Sequence, residues 1–334
     1  MHSTNTIPLN QPESKFLVLG TVPPPIGGVT VHVKRLLAHL DKNGISYKFI
    51  DINKSSKTTI LKACLKYKFI HLHSSNVYLR FLIALLCFVF SKCLISTYHG
   101  DLNRYGRFKN RLDRWSVRLT SYPILLNTNS YKIAARLNKN AQLFSAFIPA
   151  DQVLSLEPSI LGQIRGLRKK GFVFCTNAYN VSYDKNNREI YQISDLVTIF
   201  NTLPHLSLVI SDPSSNYSQL LKKGGINNNI LLIPFEHDFN AVLKESDCFI
   251  RFTTTDGDSI SVKEALSLGV PVIATDVVSR PKGTISISND LNELLSTLQH
   301  FTKTETPDIE MINGAEQLIP LYKNIMYNFN ILSK

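Results

Sequence analysis

Two acidic residues, Asp256 and Glu264, stand eight apart in the stretch Asp256-Gly257-Asp258-Ser259-Ile260-Ser261-Val262-Lys263-Glu264-Ala265-Leu266. The pattern reads as a loop opening into a short helix, with Asp256 in the loop and Glu264 a little over a turn inside the helix. Gly269-Val270-Pro271-Val272-Ile273-Ala274 then supplies a turn and a buried strand. A ligand lying across the helix N-terminus would set hydroxyls against carboxylates and phosphates against free backbone N–H groups. A sugar joined to a diphosphate has that polarity. On this reading Glu264 holds ribose hydroxyls and Asp256 holds the hydroxyls of the sugar. Gly257, Asp258, Ser259, Ile260 and Ser261 line the phosphates. Asp258 or Ser259 also suits a plain helix cap, and both roles are compatible. Asp256-Gly257-Asp258 is literally D-x-D, a pattern that in other settings holds a metal on a diphosphate, so a metal-bound alternative stays open here.

Other residues offer related chemistry. Gly27-Gly28 follows an apolar strand and precedes a helical pattern, a junction at which backbone can approach a diphosphate closely. Neither G-x-G-x-x-G nor G-x-x-x-x-G-K-(S/T) occurs, which argues against dinucleotide and P-loop readings. His99 ends a strand in Ser96-Thr97-Tyr98-His99-Gly100-Asp101, at the carboxyl edge where parallel sheets bind ligands, and Asp101 stands ready to orient it. His71 and His73 close the preceding strand. Their spacing of two would suit a metal, but no further ligand set lies near in sequence, so they read as lining or core and no metal site is assigned. A leaving diphosphate without a metal needs Arg or Lys. Arg251, at a strand end directly before the acidic loop, is the strongest candidate, with Lys185, Arg188 and Lys263 behind it.

Residues 247–276 resemble the E-x7-E signature of GT-B glycosyltransferases of the family-4 type (glycosyl transferases group 1), in the form found among bacterial surface-polysaccharide enzymes. Asp256 stands for the first Glu and Asp258 for a Gly. Gly27-Gly28-Val29-Thr30-Val31-His32 is similar to the family's Gly-Gly loop, and Thr97-Tyr98-His99-Gly100 to its Thr-x-His-Gly. The family's Arg followed by Lys-Gly, after the first strand of the second domain, is not cleanly present. The resemblance implies two Rossmann-like parallel-sheet domains facing across a cleft, with His99, Asp256 and Glu264 catalytic. It further implies a retaining transfer from a nucleotide-sugar, without metal or other cofactor, to a lipid-linked or saccharide acceptor.

The elements that must hold these residues alternate as βαβ units, the mark of an α/β protein with parallel sheets. Strands are expected at 15–21, 46–51, 69–73, 92–98 and 123–127. A second series is expected at 172–176, 206–210, 230–233, 248–252, 270–274 and 284–287. Residues 1–150 make an acceptor-side domain, 151–170 a linker interrupted by Pro158, Gly162 and Gly166, and 171–308 the nucleotide-sugar domain. Residues 309–334 form a helical tail, broken near Pro320, that by resemblance crosses back to the first domain. Phe81–Phe90, the longest apolar run, is too short to span a bilayer and reads as a core helix.

The 334 residues suffice for two cores. Five cysteines form no C-x-x-C pair and read as buried thiols of a reducing compartment. The N-terminus lacks a signal-peptide pattern. The net charge of +12 is uneven: residues 1–150 hold 21 Lys and Arg against 5 Asp and Glu, the remainder 16 against 20. That asymmetry points the first domain toward a polyanion. The helix 108–119, carrying Arg111, Arg114, Trp115 and Arg118, is the expected face for an anionic membrane and its lipid-linked acceptor. The expected place is therefore the cytoplasmic face of the inner membrane, peripherally bound. A nucleotide-sugar epimerase or hydrolase of the same fold is one alternative. A non-catalytic membrane- or nucleic-acid-binding protein is another, but no nucleic-acid recognition motif is present, so nucleic acid is not an expected partner.

Overall fold

The computed structural model describes residues 16–24, 26–221, 224–303 and 311–332. It divides into two compact units, one built from Val29–Ile148 with the strand before it and the helix that begins at Gly314, the other from Pro149–Asn313 with Ile26–Gly28.

The first unit runs β1 (Phe16–Gly20), α1 (Gly28–Lys42), β2 (Tyr47–Asp51), α2 (Lys57–Lys66), β3 (Phe69–His73), α3 (Val77–Val89), β4 (Cys93–Tyr98), α4 (Arg107–Leu119), β5 (Tyr122–Leu125), α5 (Thr128–Ala135) and β6 (Gln142–Leu143). Its six strands lie in the order β2-β1-β3-β4-β5-β6, and every pairing is parallel. The inner strands β1, β3, β4 and β5 are buried on both faces, as βαβ crossovers require, and the edge strands β2 and β6 only in part. Leu36 and Leu40 of α1 cover one face, while Ile60 and Cys64 of α2 and Ile83 and Cys87 of α3 cover the other. The chain order reverses between β1 and β3, and the crevice beyond their carboxyl ends is where such sheets take ligands.

The second unit runs α6 (Pro158–Arg168), β7 (Val173–Asn177), α7 (Ile193–Asn201), β8 (Ser207–Ser211), α8 (Asn216–Leu221), β9 (Ile230–Ile233), α9 (Phe239–Lys244), β10 (Cys248–Arg251), α10 (Ile260–Ser267), β11 (Val272–Thr275), β12 (Thr284–Ile287) and α11 (Leu291–Gln299). Its order is β12-β11-β10-β7-β8-β9, again all parallel. The reversal here falls between β7 and β10, so Asn177 and Arg251 end the two strands that flank the crevice. The last helix, α12 (Gly314–Leu332), belongs to the first unit. It buries Ala315, Leu318, Tyr322 and Ile325 in the cluster formed by β1 and α1.

Three readings of the sequence are corrected. Residues 151–170 are not all linker, because α6 occupies most of them and buries Ile160, Ile164 and Leu167 along one stripe. Pro158 falls in its first turn, where a missing N–H costs nothing. Gly162 and Gly166 lie where a Cβ would meet nothing within 4 Å, so they break no packing. Pro320 does not break the tail, since α12 is continuous through it, held by burial on both sides of the proline. The run Phe81–Phe90 is not a core helix. It lies in and just beyond α3, where Leu82, Phe88, Val89 and Phe90 are each more than half exposed.

Two local devices fix the edges of the first sheet. Gly20 ends β1 with α1 packed against it: a Cβ there would sit 3.2 Å from Val33 and 3.4 Å from His73, so the absent side chain makes room for both. Arg80 of α3 donates from Nε and Nη2 to Asp113 of α4 at 3.1 and 2.6 Å, with both side chains almost fully buried. That ion pair ties α3 to α4 in one register.

Candidate functional site

In the second unit the loop between β10 and α10 is organised around Asp256. Arg251, the last residue of β10, donates to it from Nε at 3.0 Å and from Nη2 at 2.8 Å. Arg280, in the loop after β11, donates from Nη1 at 2.7 Å and is itself held by the Thr275 carbonyl at 2.7 Å. The Gly257 N–H adds a bond of 3.0 Å. A carboxylate has about four acceptor positions, and these four donors fill them. Burial pushes the Asp256 carboxyl up, but Arg251 and Arg280 together outweigh it and hold it below its ordinary value. The expected role of Asp256, meeting sugar hydroxyls, thus finds no acceptor position open. Its carboxylate instead joins the strand-end Arg251 to the loop residue Arg280 and shapes the loop. Arg251 is likewise committed, with its guanidinium on Asp256 and over the Tyr191 ring at 4.9 Å.

The helix N-terminus beside that loop has the expected form. Ser259 caps α10, its Oγ accepting from the Val262 N–H at 3.4 Å. Asp258 pairs with Lys263 at 2.5 Å. Asn177, at the end of β7, donates to Ser261 Oγ at 2.8 Å, which draws α10 onto the reversal point of the sheet. Glu264 is 7% exposed, one turn inside α10. Lys185 and Arg188 lie in the turn before Tyr191. Both are exposed, and Arg188 pairs with Asp184 at 3.0 Å within its own turn. Sequence reasoning missed Arg280, whose only sign was a lone Arg between Ser279 and Pro281, and it gave Asn177 no part.

In the first unit the reversal point gathers histidines. His32 comes from α1, His73 ends β3, and His99 follows β4. Their ring centroids form a triangle with sides of 5.5, 5.0 and 5.3 Å. His73 Nδ1 and His99 Nε2 share a hydrogen bond of 3.1 Å, and His32 Nδ1 donates to the Ala146 carbonyl at 2.9 Å. His71 lies behind them, bonded to Thr97 at 2.8 Å and, very closely, to the Tyr322 hydroxyl. Burial lowers His32 to about 4 and His71 to about 3, and holds His73 and His99 well below their ordinary value. All four are neutral rings near pH 7. The linear reading found no partners near His71 and His73. Topology supplies them from residues far apart in the chain. Gly27 lies at the entry to α1, and Gly28 is its first residue.

On the surface of the same unit, α3 and α4 enclose an apolar groove of about 460 Å³ whose walls include Phe88, Val89, Phe108 and Trp115. Those four are 63, 63, 66 and 46% exposed. Arg111, Arg114 and Arg118 are exposed on α4 around them, with Arg118 over the Trp115 ring at 5.3 Å. The expected basic helix is therefore joined by an apolar partner helix that sequence reading had placed in the core. No helix among the described residues is long and apolar enough to cross a membrane.

Residues 189–299 match the family model of glycosyl transferases group 1. HepE of Anabaena, solved with UDP and glucose, shares the architecture, with a TM-score of 0.64 and 12% identity over 95% of this chain and 99% of that one. The fold is GT-B. A galactosyltransferase of Escherichia coli, acting from UDP-Gal on α-D-GlcNAc-diphosphoundecaprenol, is 23% identical over 76% of this chain and 71% of its own length. An uncharacterised glycosyltransferase of Methanocaldococcus jannaschii is 30% identical over 39% of this chain. The chain spans about a third (32%) of that archaeal relative's length. The resemblance to GT-B glycosyltransferases drawn from the motifs is borne out, and the matched residues 189–299 include β10, α10 and their loop.

Proposed function

We propose that the protein is a retaining, metal-independent glycosyltransferase of the family-4 type, moving a sugar from a nucleotide-sugar to a lipid-linked or saccharide acceptor in bacterial surface-polysaccharide synthesis. The observation that carries the reading is the N-terminus of α10. It is a capped helix start drawn by Asn177 onto the sheet's reversal point, with Glu264 buried one turn inside, and the helix itself lies within the region matched by the family. The free N–H groups of Ile260 and Ser261 suit a diphosphate, and Glu264 suits the ribose. Both carboxylates of Asp256-Gly257-Asp258 are already paired with cationic side chains, which supports donor binding without a metal bridge. In this scheme Asp256 positions Arg251 and Arg280 at the edge of the site, and those guanidinium groups supply the charge that offsets the leaving diphosphate. No protein nucleophile is required: the departing phosphate takes the acceptor's proton on the same face of the sugar.

His99, which follows β4 in the first unit, is kept as a catalytic candidate on the family resemblance. The groove of α3 and α4, rimmed by Arg111, Arg114 and Arg118, seats that unit on anionic lipid at the cytoplasmic face of the membrane, where a diphospho-lipid acceptor resides. The E. coli relative's acceptor, a diphosphoundecaprenol, supports that class.

Thermal melts with UDP-, GDP- and ADP-sugars, in Mn²⁺ and in EDTA, test the donor site. A ligand of the folded state alone raises the melting temperature. One nucleotide class should stabilise the chain equally in EDTA, and Glu264→Gln, which keeps the buried side chain's size, should lose that shift while still melting cooperatively. A shift that requires Mn²⁺ overturns the metal-independent reading. The anomeric configuration of the product, read by NMR, decides retention against inversion.

A further inference from the structure

We propose that His32, His73 and His99 form a binding site for one divalent transition-metal ion of the zinc class. The inference rests on the residues of the first unit alone and stands or falls separately from the transfer reading. One ring nitrogen of each histidine lies within 4.8 Å of the other two. With Zn–N bonds of about 2.0–2.1 Å, and ring centres roughly 1 Å beyond the bonding nitrogen, three imidazoles at the tetrahedral angle have centres about 5 Å apart. The observed centroid separations of 5.0–5.5 Å fit that arrangement.

The chemistry of the donors agrees. A carbonyl oxygen only accepts, so the His32 bond to Ala146 fixes the proton on Nδ1 and leaves a bare lone pair on Nε2. That nitrogen is buried and has no hydrogen-bond partner, and the same holds for His73 Nε2. Buried polar atoms are ordinarily satisfied, and an orphaned pair in one cluster calls for a ligand. A ring whose far nitrogen is pinned by a backbone carbonyl is also how proteins orient metal-binding histidines. His71, anchored by Thr97 and Tyr322, packs on His73 with ring centroids 4.0 Å apart and holds that ring in place.

Burial keeps all three imidazoles neutral, the protonation state that a metal requires. The nearest cations are Arg80, paired with Asp113, and Arg35, which donates from Nη1 to the Ile148 carbonyl at 2.9 Å; their charge adds to burial in keeping the rings unprotonated. His99 is the one member with solvent access, so an ion enters past it. An ion held there occupies His99, and so makes zinc-class metals inhibitors of whatever His99 does.

The test is a Co²⁺ titration of the untagged full-length chain after EDTA dialysis, followed by visible absorption. The expected result is the intense ligand-field bands of four-coordinate Co²⁺, saturating at one ion per chain and displaced by Zn²⁺. His99→Ala and His73→Gln should each abolish the bands. His99→Ala is at a half-buried loop position, and its melt by circular dichroism confirms that loss of the bands is not loss of fold. Absence of bands in the wild type overturns the proposal. So do bands that persist in a folded His99→Ala chain, because the ion then sits elsewhere.

Discussion

Removing the Asp256 carboxylate leaves the buried guanidinium groups of Arg251 and Arg280 facing each other without an anion. Breaking such a network by deleting one partner costs about 3–5 kcal/mol, since the remaining charges stay buried. Asp256→Ala should therefore lower the urea midpoint markedly, whereas Glu264→Gln, which keeps the size and hydrogen-bonding capacity of that buried side chain, should stay much nearer wild type. Equal midpoints in the two variants would return Asp256 to a purely ligand-binding role. A second residue-scale expectation concerns pH. His32 and His71 have folded-state values of about 4 and 3 against an ordinary 6.5, both depressed by burial. Below pH 6.5 the unfolded chain takes up protons that the folded metal-free chain refuses. Stability should hold level above that point and fall as pH drops toward 4, by up to about 1.4 kcal/mol per unit for each ring. Denaturation midpoints measured between pH 7.5 and 5 check this, and a flat profile across that window contradicts it. At this scale the sequence was legible where chemistry is local. The cap at Ser259 could be read directly, because a helix start depends on neighbours in the chain. The four bonds to Asp256 and the ring triangle could not, because residues 251, 256 and 280, or 32, 73 and 99, meet only through the sheet order.

Among the elements, α12 carries the clearest consequence. Tyr322 is fully buried, edge-on to Phe16 with centroids 4.7 Å apart, and bonded to His71. Gly314 starts the helix so close to the chain before it that a Cβ would lie 2.1 Å from the Ser145 carbonyl. Its N–H donates to the Phe147 carbonyl at 2.7 Å. Tyr322→Ala should cost about 3–5 kcal/mol through the cavity it leaves. Tyr322→Phe, which keeps the packing and drops only the hydroxyl, should cost far less. Calorimetric melts of the two variants separate packing from hydrogen bonding. Strand positions were well anticipated because both faces of each sheet are buried, so each strand announces itself as a short apolar run. Helices were less legible. In α6, two glycines and a proline outweighed a sound apolar stripe. In α3, an apolar surface all round gave no sign of which side the protein would leave uncovered.

For the molecule as a whole, the excess of positive charge lies in residues 1–150, and the exposed groove of α3 and α4 lies in the same unit. Binding to vesicles containing anionic phospholipid should weaken steeply with added salt, as interactions across a screened surface do. Phe88→Ser with Trp115→Ser should weaken it at every salt concentration, leaving the melting temperature within a degree or two because both side chains are exposed. Cosedimentation with liposomes gives both dependences. Binding unchanged in the double variant would assign the groove to something other than lipid. The division into two αβ series was plain in the sequence, since each repeats the same alternation. The exposed apolar face was not, because hydropathy records what a residue prefers and not where the fold leaves it.

The first unit is interrupted: its closing helix follows the entire second unit in the chain. During synthesis the ribosome delivers residues at roughly 5–20 per second, N-terminal end first. The seat for Tyr322, lined by Phe16, Phe69 and Ile95, must therefore stay open until α12 has been made, after the whole of the second unit. The second unit, complete at residue 313, has all its strands in hand before that moment. A nascent chain of this protein thus finishes its later half first, and any product cut short before Gly314 shows chaperones and proteases an unfilled apolar slot.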